Sequence, residues 1–555
     1  MADSSSWSDN SPAETNPLKK WGTLVVLSLA LAIIVIDTSL LNVSLGVIIR
    51  ELHTSIQSLQ WVITAYALTL TALTITGGRL GDIFGRKRFF MLGAVIFALG
   101  SFTASISHSV TTLLIGESIV EGIGAALMLP ATASLLVSTF RGRDRAIAFG
   151  FWGGVAGAAS AVGPILGGWL TTTYSWRWGF RINVFVAALL LLGAVLLVRE
   201  AKDTQERPTI DWTGVILSTL GLLGVVFGII ESSTYGWWKA KSAFVLFTHS
   251  YGLRGYSVTP WTLGLGLLLL IWFLVWEGVV DRRGRTPLVS LKLFRNRQFT
   301  SGVATLAVVS LGLTGLIFIL PIFFQGVRQL DAFHTGISLL PLSISLFVAS
   351  PVSVVLTKWF TPKRIIQMGL FSILLGNYLL YSSLGVAATA RDLAVGLVLF
   401  GAGMGFVQSQ IANLTLSAVS VQQAGEASGV NNTGRQLGSA LGSAIIGAVM
   451  LTRILTGVNN GVATSAVIPP ELKSPVTSAT QAQLSAVEFG SGVHLGNQVP
   501  PDVAQDVRAI TDQATTDAGR EAFLWSLGFA LLSLLISMSL PNIQNVETGQ
   551  SAAGH

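Results

Sequence analysis

Two stretches of this chain, Thr300 to Val327 and Leu393 to Gly425, contain no charged residue at all. A helix needs ~20 mostly apolar residues to cross a bilayer, and soluble domains do not sustain uncharged runs of this length. Gly22 to Ile49 comes close, with Asp37 as its one charge. Reading the whole chain for such runs predicts about fourteen spans, from one near residue 35 to one near residue 530. Porin-like strands would alternate over segments of ~10 residues, and these runs do not. Of the 555 residues, 51% are hydrophobic and 11% charged, against roughly 25% charged in an ordinary soluble domain. Disorder is excluded over most of the length by the same apolar content. No cysteine is present, which removes disulfide scaffolds, thiolate metal sites and cysteine nucleophiles. The reading is an all-α polytopic membrane protein.

Lysines and arginines set the orientation. With a cytoplasmic N-terminus and fourteen crossings, Arg79, Arg86, Lys87, Arg88, Arg141, Arg143, Arg145, Arg282, Arg283 and Arg285 fall in cytoplasmic segments. The short outer loops and adjoining helix ends hold Arg50, Arg177, Arg181, Arg328 and Arg391. This asymmetry satisfies the positive-inside rule and predicts a multi-pass protein of the cell membrane with both termini cytoplasmic. The net charge of +7 reads as topology and lipid contact, with no basic tract for nucleic acid. The expected division is a cytoplasmic tail (1–20), a six-helix bundle (21–200), two extra central helices with linkers (201–298), a second six-helix bundle (299–541) and a cytoplasmic tail (542–555). Within the second bundle, residues 453–520 read as a long, mostly solvated outer loop, with one short surface helix within Asp502 to Arg520. Basic loops after the second and tenth spans, and glycine-rich fifth and thirteenth spans, echo one another. Such repeats are the signature of secondary transporters.

Three segments carry more specific information. Gly78-Arg-Leu-Gly-Asp82-Ile-Phe-Gly85-Arg86-Lys87-Arg88 joins the second and third spans. Its glycines permit a tight turn, and Asp82 can cap a helix start or pair with a neighbouring arginine. Such a pair would latch two halves in one state and release them in another. In the fifth span, Gly150, Gly163, Pro164, Gly167 and Gly168 combine a proline that bends the helix with glycines that let backbones approach closely. The first span carries Asp37-Thr38-Ser39-Leu40-Leu41-Asn42. Together these segments resemble the major facilitator superfamily: its signature loop (with Ile83 where arginine is usual), its antiporter motif (with Ala159 replacing a glycine), and the first-helix signature of its fourteen-helix drug:proton antiporters. Ser175-Trp176-Arg177-Trp178 leading into Asn183, and Gly425-Glu426 followed by Arg435-Gln436-Leu437-Gly438, extend the match. The resemblance implies two six-helix bundles plus two central helices, and export of amphipathic or cationic molecules against proton entry.

Charges inside the spans are few, and each costs at least ~2.5–3.5 kcal/mol to insert. Burial favours the neutral form of a carboxyl group, which makes Asp37 a candidate proton carrier. Glu117 and Glu121 lie four apart and share one helix face, so they too are proton-coupling candidates. The superfamily usually has arginine at the position of Ser118 and glutamine at that of Glu121, so its buried cation is missing here. Arg181, near the outer end of the sixth span, is expected to pair with Glu117 or Asp37 and replace it. Asn42, Trp61, Tyr66, Gln325 and Gln408 are candidates for lining a substrate cavity. No nucleophile–base constellation, histidine relay, metal-ligand set or P-loop is found, so an enzyme, a cofactor and direct ATP drive are not expected. The expected partners are a small-molecule substrate, protons and lipids, with the protein a monomer. Two other readings stand beside the multidrug exporter: a dedicated exporter of one native lipid or metabolite, and a non-transporting sensor on the same scaffold.

Overall fold

The computed structural model describes residues 16–54, 56–200, 210–241, 244–246, 249–251, 255–485 and 500–543. Most of the two expected tails and the tip of the 453–520 segment lie outside the described residues.

Uncharged sequence becomes long helix because each backbone polar group must be satisfied within its own segment in lipid. The first six membrane helices are α1 (Pro17–Glu51), α2 (Ile56–Phe84), α3 (Arg86–Ser105), α4 (Val110–Thr139), α5 (Gly142–Thr173) and α6 (Arg177–Leu197). Two central helices follow, α7 (Trp212–Ile230) and α8 (Thr259–Arg282), with a small hairpin between them, β1 (Phe244–Leu246) paired antiparallel to β2 (His249–Tyr251). The second half comprises α9 (Arg297–Val327), α10 (Leu340–Leu356), α11 (Pro362–Ser383), α12 (Ala390–Ser417), α13 (Ala424–Thr464), a shorter α14 (Pro470–Ser485) and α15 (Pro501–Ser537). Among the described residues, thirteen of these helices are long and apolar enough to span a membrane, and α10, at 17 residues, is a shorter apolar helix in the fourteenth place. It is short because the chain breaks at Leu339, between a turn of helix at Ala332–Ser338 and α10. Pro341 lacks an N–H and crowds the preceding turn, so the ladder cannot run through.

The core is double. One apolar cluster is built mainly from the first six helices, Leu24 to Val198, and gathers residues from the central helices and their linker (Leu217, Phe273, Leu288) and from the start of α13 (Ala424, Ala427). A second lies wholly between Leu306 and Leu540. The halves meet along two seams, α2 against α13 and α5 against α10. Helix α7 packs on the first seam, where Val225, Val226 and Ile229 meet Leu68, Ala440 and Ala444.

The segment expected as a solvated loop at 453–520 is instead largely helical among its described residues. Helix α13 has 41 residues and α15 has 37, so each is about 55–60 Å long and overruns a ~30 Å hydrocarbon layer. The overrun is held by an apolar stripe: Ile454, Val458 and Val462 face Val503, Val507 and Ala514 in the second core. Arg453 pairs with Glu521 across the same two helices. The short surface helix expected within Asp502 to Arg520 is therefore the first half of the last membrane helix.

Candidate functional site

Five helices converge on a dry acidic cluster. Helix α1 supplies Asp37, α4 supplies Glu117 and Glu121, α3 supplies Ser101, α6 supplies Asn183 and α2 supplies Tyr66. The three acids are 0%, 1% and 0% exposed, and one oxygen from each lies within 4.8 Å of the others. Residues Leu114–Glu121 of α4 form a π-helical segment, a wider turn often found at functional sites. It carries both glutamates on one side, while Ser118 between them donates to the Val62 carbonyl at 2.6 Å and ties the segment to α2. Asn183 is the hub: its amide nitrogen donates to Asp37 Oδ1 at 2.5 Å, Ser101 Oγ at 3.2 Å and Glu121 Oε1 at 3.3 Å. Asp37 Oδ2, Glu117 Oε2, Glu121 Oε2 and Tyr66 Oη are buried without a hydrogen-bond partner.

Arg181 does not join this cluster. Its guanidinium lies over the Trp178 ring, 5.1 Å from the centroid, and it forms no ion pair with Asp37 or Glu117. Residues two apart on an α-helix point roughly 200° from each other, so a helix that aims Asn183 inward turns Arg181 away. Among the described residues no lysine or arginine pairs with any of the three acids. An amide therefore occupies the place expected for a cation.

A second polar network closes the end of the molecule that carries the basic loops. Asp82, at the end of α2, accepts from Arg86 Nε at 2.9 Å. It also accepts from the backbone N–H groups of Gly425 (3.2 Å) and Glu426 (2.9 Å), the first turn of α13. A carboxylate there meets the positive end of the helix dipole. Arg86 reaches on to the carbonyls of Val421 and Gln422, so one ion pair spans both halves. Gly85, between α2 and α3, has φ +116°, a conformation open to glycine at little cost. Lys87 and Arg88 begin α3, and their N–H groups donate to Glu200 at 3.0 and 3.2 Å. Gly78 of α2 lies against the Gly425 carbonyl. Glu426 accepts from the Ser290 N–H, beyond α8, and lies 3.9 Å from Arg79. Buried Glu277 of α8 accepts from the Val289 N–H at 3.3 Å, so the linker after the central helices is part of this closure.

The α5 glycines line both of its contacts. A Cβ on Gly167 would stand 3.0 Å from Leu40 Cα of α1, and one on Gly150 would stand 2.8 Å from Val354 of α10. Gly163 lies against Ser39 and Gly168 near Phe333, with Pro164 inside the helix. Of the cavity candidates, Tyr66 belongs to the acid cluster. Trp61 is half-buried and stacks on Phe227 of α7, centroids 5.8 Å apart. Gln325, in a π-helical turn of α9, and Gln408, on α12, are half-buried in the second half. The Asn42 side chain lies outside the described residues.

Sequence reasoning missed Ser101 as a cluster member, Asn183 as its hub, and Glu277 at the closed end. The available signal was a polar side chain inside an apolar span, as at Asn183 between Phe180 and Phe185.

A polytopic helical protein with two cores, two seams and a charged latch has the build of a membrane transporter. The sequence profile of the Major Facilitator Superfamily matches residues 27–443, and the chain belongs to that family. It is 28% identical over 418 residues to the multidrug resistance protein Stp of Mycobacterium tuberculosis, covering 75% of this chain and 73% of that protein. It is 30% identical over 435 residues to the puromycin resistance protein pur8 of Streptomyces alboniger (76% and 80%). It is also 30% identical over 427 residues to a probable actinorhodin transporter of Streptomyces coelicolor (76% and 70%). In fold it is similar to the human organic anion transporter MFSD10, with a TM-score of 0.54 at 12% identity, covering 93% of this chain and 100% of that one.

Proposed function

We propose that this protein is a proton-coupled antiporter that exports amphipathic or cationic small molecules across the cell membrane by alternating access. Efflux is supported by relatives named for drug and antibiotic resistance. Proton coupling is carried by one observation: three carboxyl groups are buried together with no cation among the described residues. Charges packed this closely in a low-dielectric site repel strongly, so the cluster stays neutral enough to persist by holding protons. Opening toward the outer medium loads it, and opening toward the cytoplasm empties it. Asp37 makes the closest contact with Asn183, so its charge state sets the contact between α1 and α6.

The latch around Asp82 and Arg86 is the cytoplasmic gate in this reading, with both chain termini on that side. In the conformation described it is closed. The glycines of α5 keep α1 and α10 tight against it, which prevents a leak when no substrate is present. Trp61, Gln325, Gln408 and Asn42 remain candidates for the cavity wall. Transport requires no covalent chemistry or cofactor here, and the working unit is a single chain.

The test is transport by the full chain in proteoliposomes under an imposed pH gradient. Wild type moves substrate with the gradient, and Asp37→Asn loses that dependence while remaining folded. Transport indifferent to both the gradient and the substitution sinks the reading. One alternative has its own support, because two relatives are named for single compounds, actinorhodin and tetracenomycin C. A substrate panel decides it: export of one compound with the rest ignored identifies a dedicated exporter.

A further inference from the structure

Resting on the coupling reading above, we propose that the cluster holds two protons, one on Glu117 and one on Glu121, and that both are released in each transport cycle. The cluster has too few hydrogen-bond donors for three ionised acids. Three ionised carboxylates present six acceptor oxygens, while the Asn183 amide supplies two hydrogens, directed at Asp37, Ser101 and Glu121, and the Ser101 hydroxyl supplies one more, to Glu121. Glu117 receives none of them. One oxygen on each acid is left buried without a partner, and buried acceptors are rarely left so.

Protons on the two glutamates convert two acceptors into O–H donors, and Glu117 lies in hydrogen-bonding contact with both Asp37 and Glu121. The count stops at two because Asp37 is the best compensated of the three acids: it takes the closest Asn183 contact, 2.5 Å against 3.3 Å to Glu121, and hydrogen bonds to the charged form of an acid favour that form. Among the described residues no lysine or arginine pairs with the cluster. Tyr66, 4% exposed with its hydroxyl unpartnered, is the titratable group contributed by α2 and feels the field of all three acids. Helix α3 contributes Ser101 and α6 contributes Asn183, with Arg181 turned onto Trp178. The charged residues of α5, Arg143, Asp144 and Arg145, sit at its far, basic end.

This count has a consequence for substrates. Two protons inward for one monocation outward carries one net positive charge in, so the membrane potential drives export of monocations as well as neutral molecules. One proton for one monocation would move no net charge.

The experiment uses ethidium, a monocation, and the full chain in proteoliposomes with the pH gradient and the potassium-set potential varied independently. Wild type should respond to potential alone and reach a null point at two protons per ethidium. Glu117→Gln and Glu121→Gln should each fall to one and lose the response to potential. A wild-type exchange that ignores potential overturns the proposal. A second readout does not depend on transport: the infrared carbonyl stretch of protonated carboxyl groups in the purified protein. Its intensity should fall by one group in each glutamate variant and stay unchanged in Asp37→Asn. Unchanged intensity in both glutamate variants overturns the two-proton assignment. Normal bands with gradient-indifferent transport instead overturn the coupling reading.

Discussion

The acid cluster and the latch use the same side chain in opposite ways. At the latch, buried Asp82 meets a guanidinium and two helix-end N–H groups, so its charge is matched on every side. In the cluster, Asp37 and Glu121 share one amide, Glu117 receives none of it, and all three leave an oxygen unmatched. A matched acid is a clasp, strong only while the surfaces that match it stay together. An unmatched group of acids is a reservoir that must take its compensation from outside, and the smallest compensating species is a proton. In the proposed mechanism, separating the functions lets one site respond to protons while the other responds to the separation of the two halves.

The contrast predicts where damage is greatest. Asn183→Leu removes the one amide shared by the cluster, and a buried acceptor left without its donor costs about 1–3 kcal/mol. Gradient-driven transport should fall at least tenfold, and the thermal midpoint should drop by several degrees. Transport that survives at more than half the wild-type rate would show that the hub is dispensable.

Next in size is Asp82→Asn. Its effect should appear in conformation first, because hydrogen bonds to a charged group contribute about 1.5–3 kcal/mol and all of them here cross between α2, α3 and α13. The chain lacks cysteine, so a single cysteine placed at Ala424, which is 0% exposed, reports on the gate. Labelling should rise about tenfold or more in Asp82→Asn and stay low in Asp37→Asn. Equal labelling of both variants would merge two sites that the structure keeps apart.

Much of this contrast was legible in sequence. The uncharged runs at Thr300 to Val327 and Leu393 to Gly425 forecast spans because the membrane's demand is local: each helix satisfies its own backbone. Asp37, Glu117 and Glu121 stood out because charge is costly in those runs. Their convergence was not legible, since it depends on how α1, α3, α4 and α6 rotate about their axes. Arg181 was assigned by chemistry, when helical phase gives the inward position to Asn183. The 453–520 segment misled for another reason. Its polar composition matched a solvated loop, while the spacing of Ile454, Val458 and Val462 already marked one continuous helical face.

Facing away from the acids, Arg181 contributes little to coupling. Arg181→Leu should leave gradient-driven transport within about twofold of wild type, because it loses a cation–π contact with Trp178, worth about 0.5–1 kcal/mol at an exposed site. A drop as large as that of Asn183→Leu would restore Arg181 as the partner of the acids.

The smallest effect belongs to Glu51, at the end of α1 and clear of the dry cluster. It accepts from Trp176 Nε1 at 2.6 Å and pairs with Arg177, whose guanidinium lies 4.4 Å from the Trp176 ring centroid. Partial burial works to raise its pKa, but the hydrogen bonds from Arg177 and Trp176 and the Arg177 charge outweigh it and hold the carboxyl below the ordinary 4.5. A depressed folded pKa contributes stability above the unfolded value and loses it as pH falls through the folded value. Glu51→Gln should therefore melt slightly below wild type at neutral pH, with the gap closing as pH drops below about 4.5. The pair is partly exposed and screened by solvent, so the gap should be a degree or two. A gap that persists unchanged into acid would assign the effect to lost packing around Trp176 and remove the charge from the account.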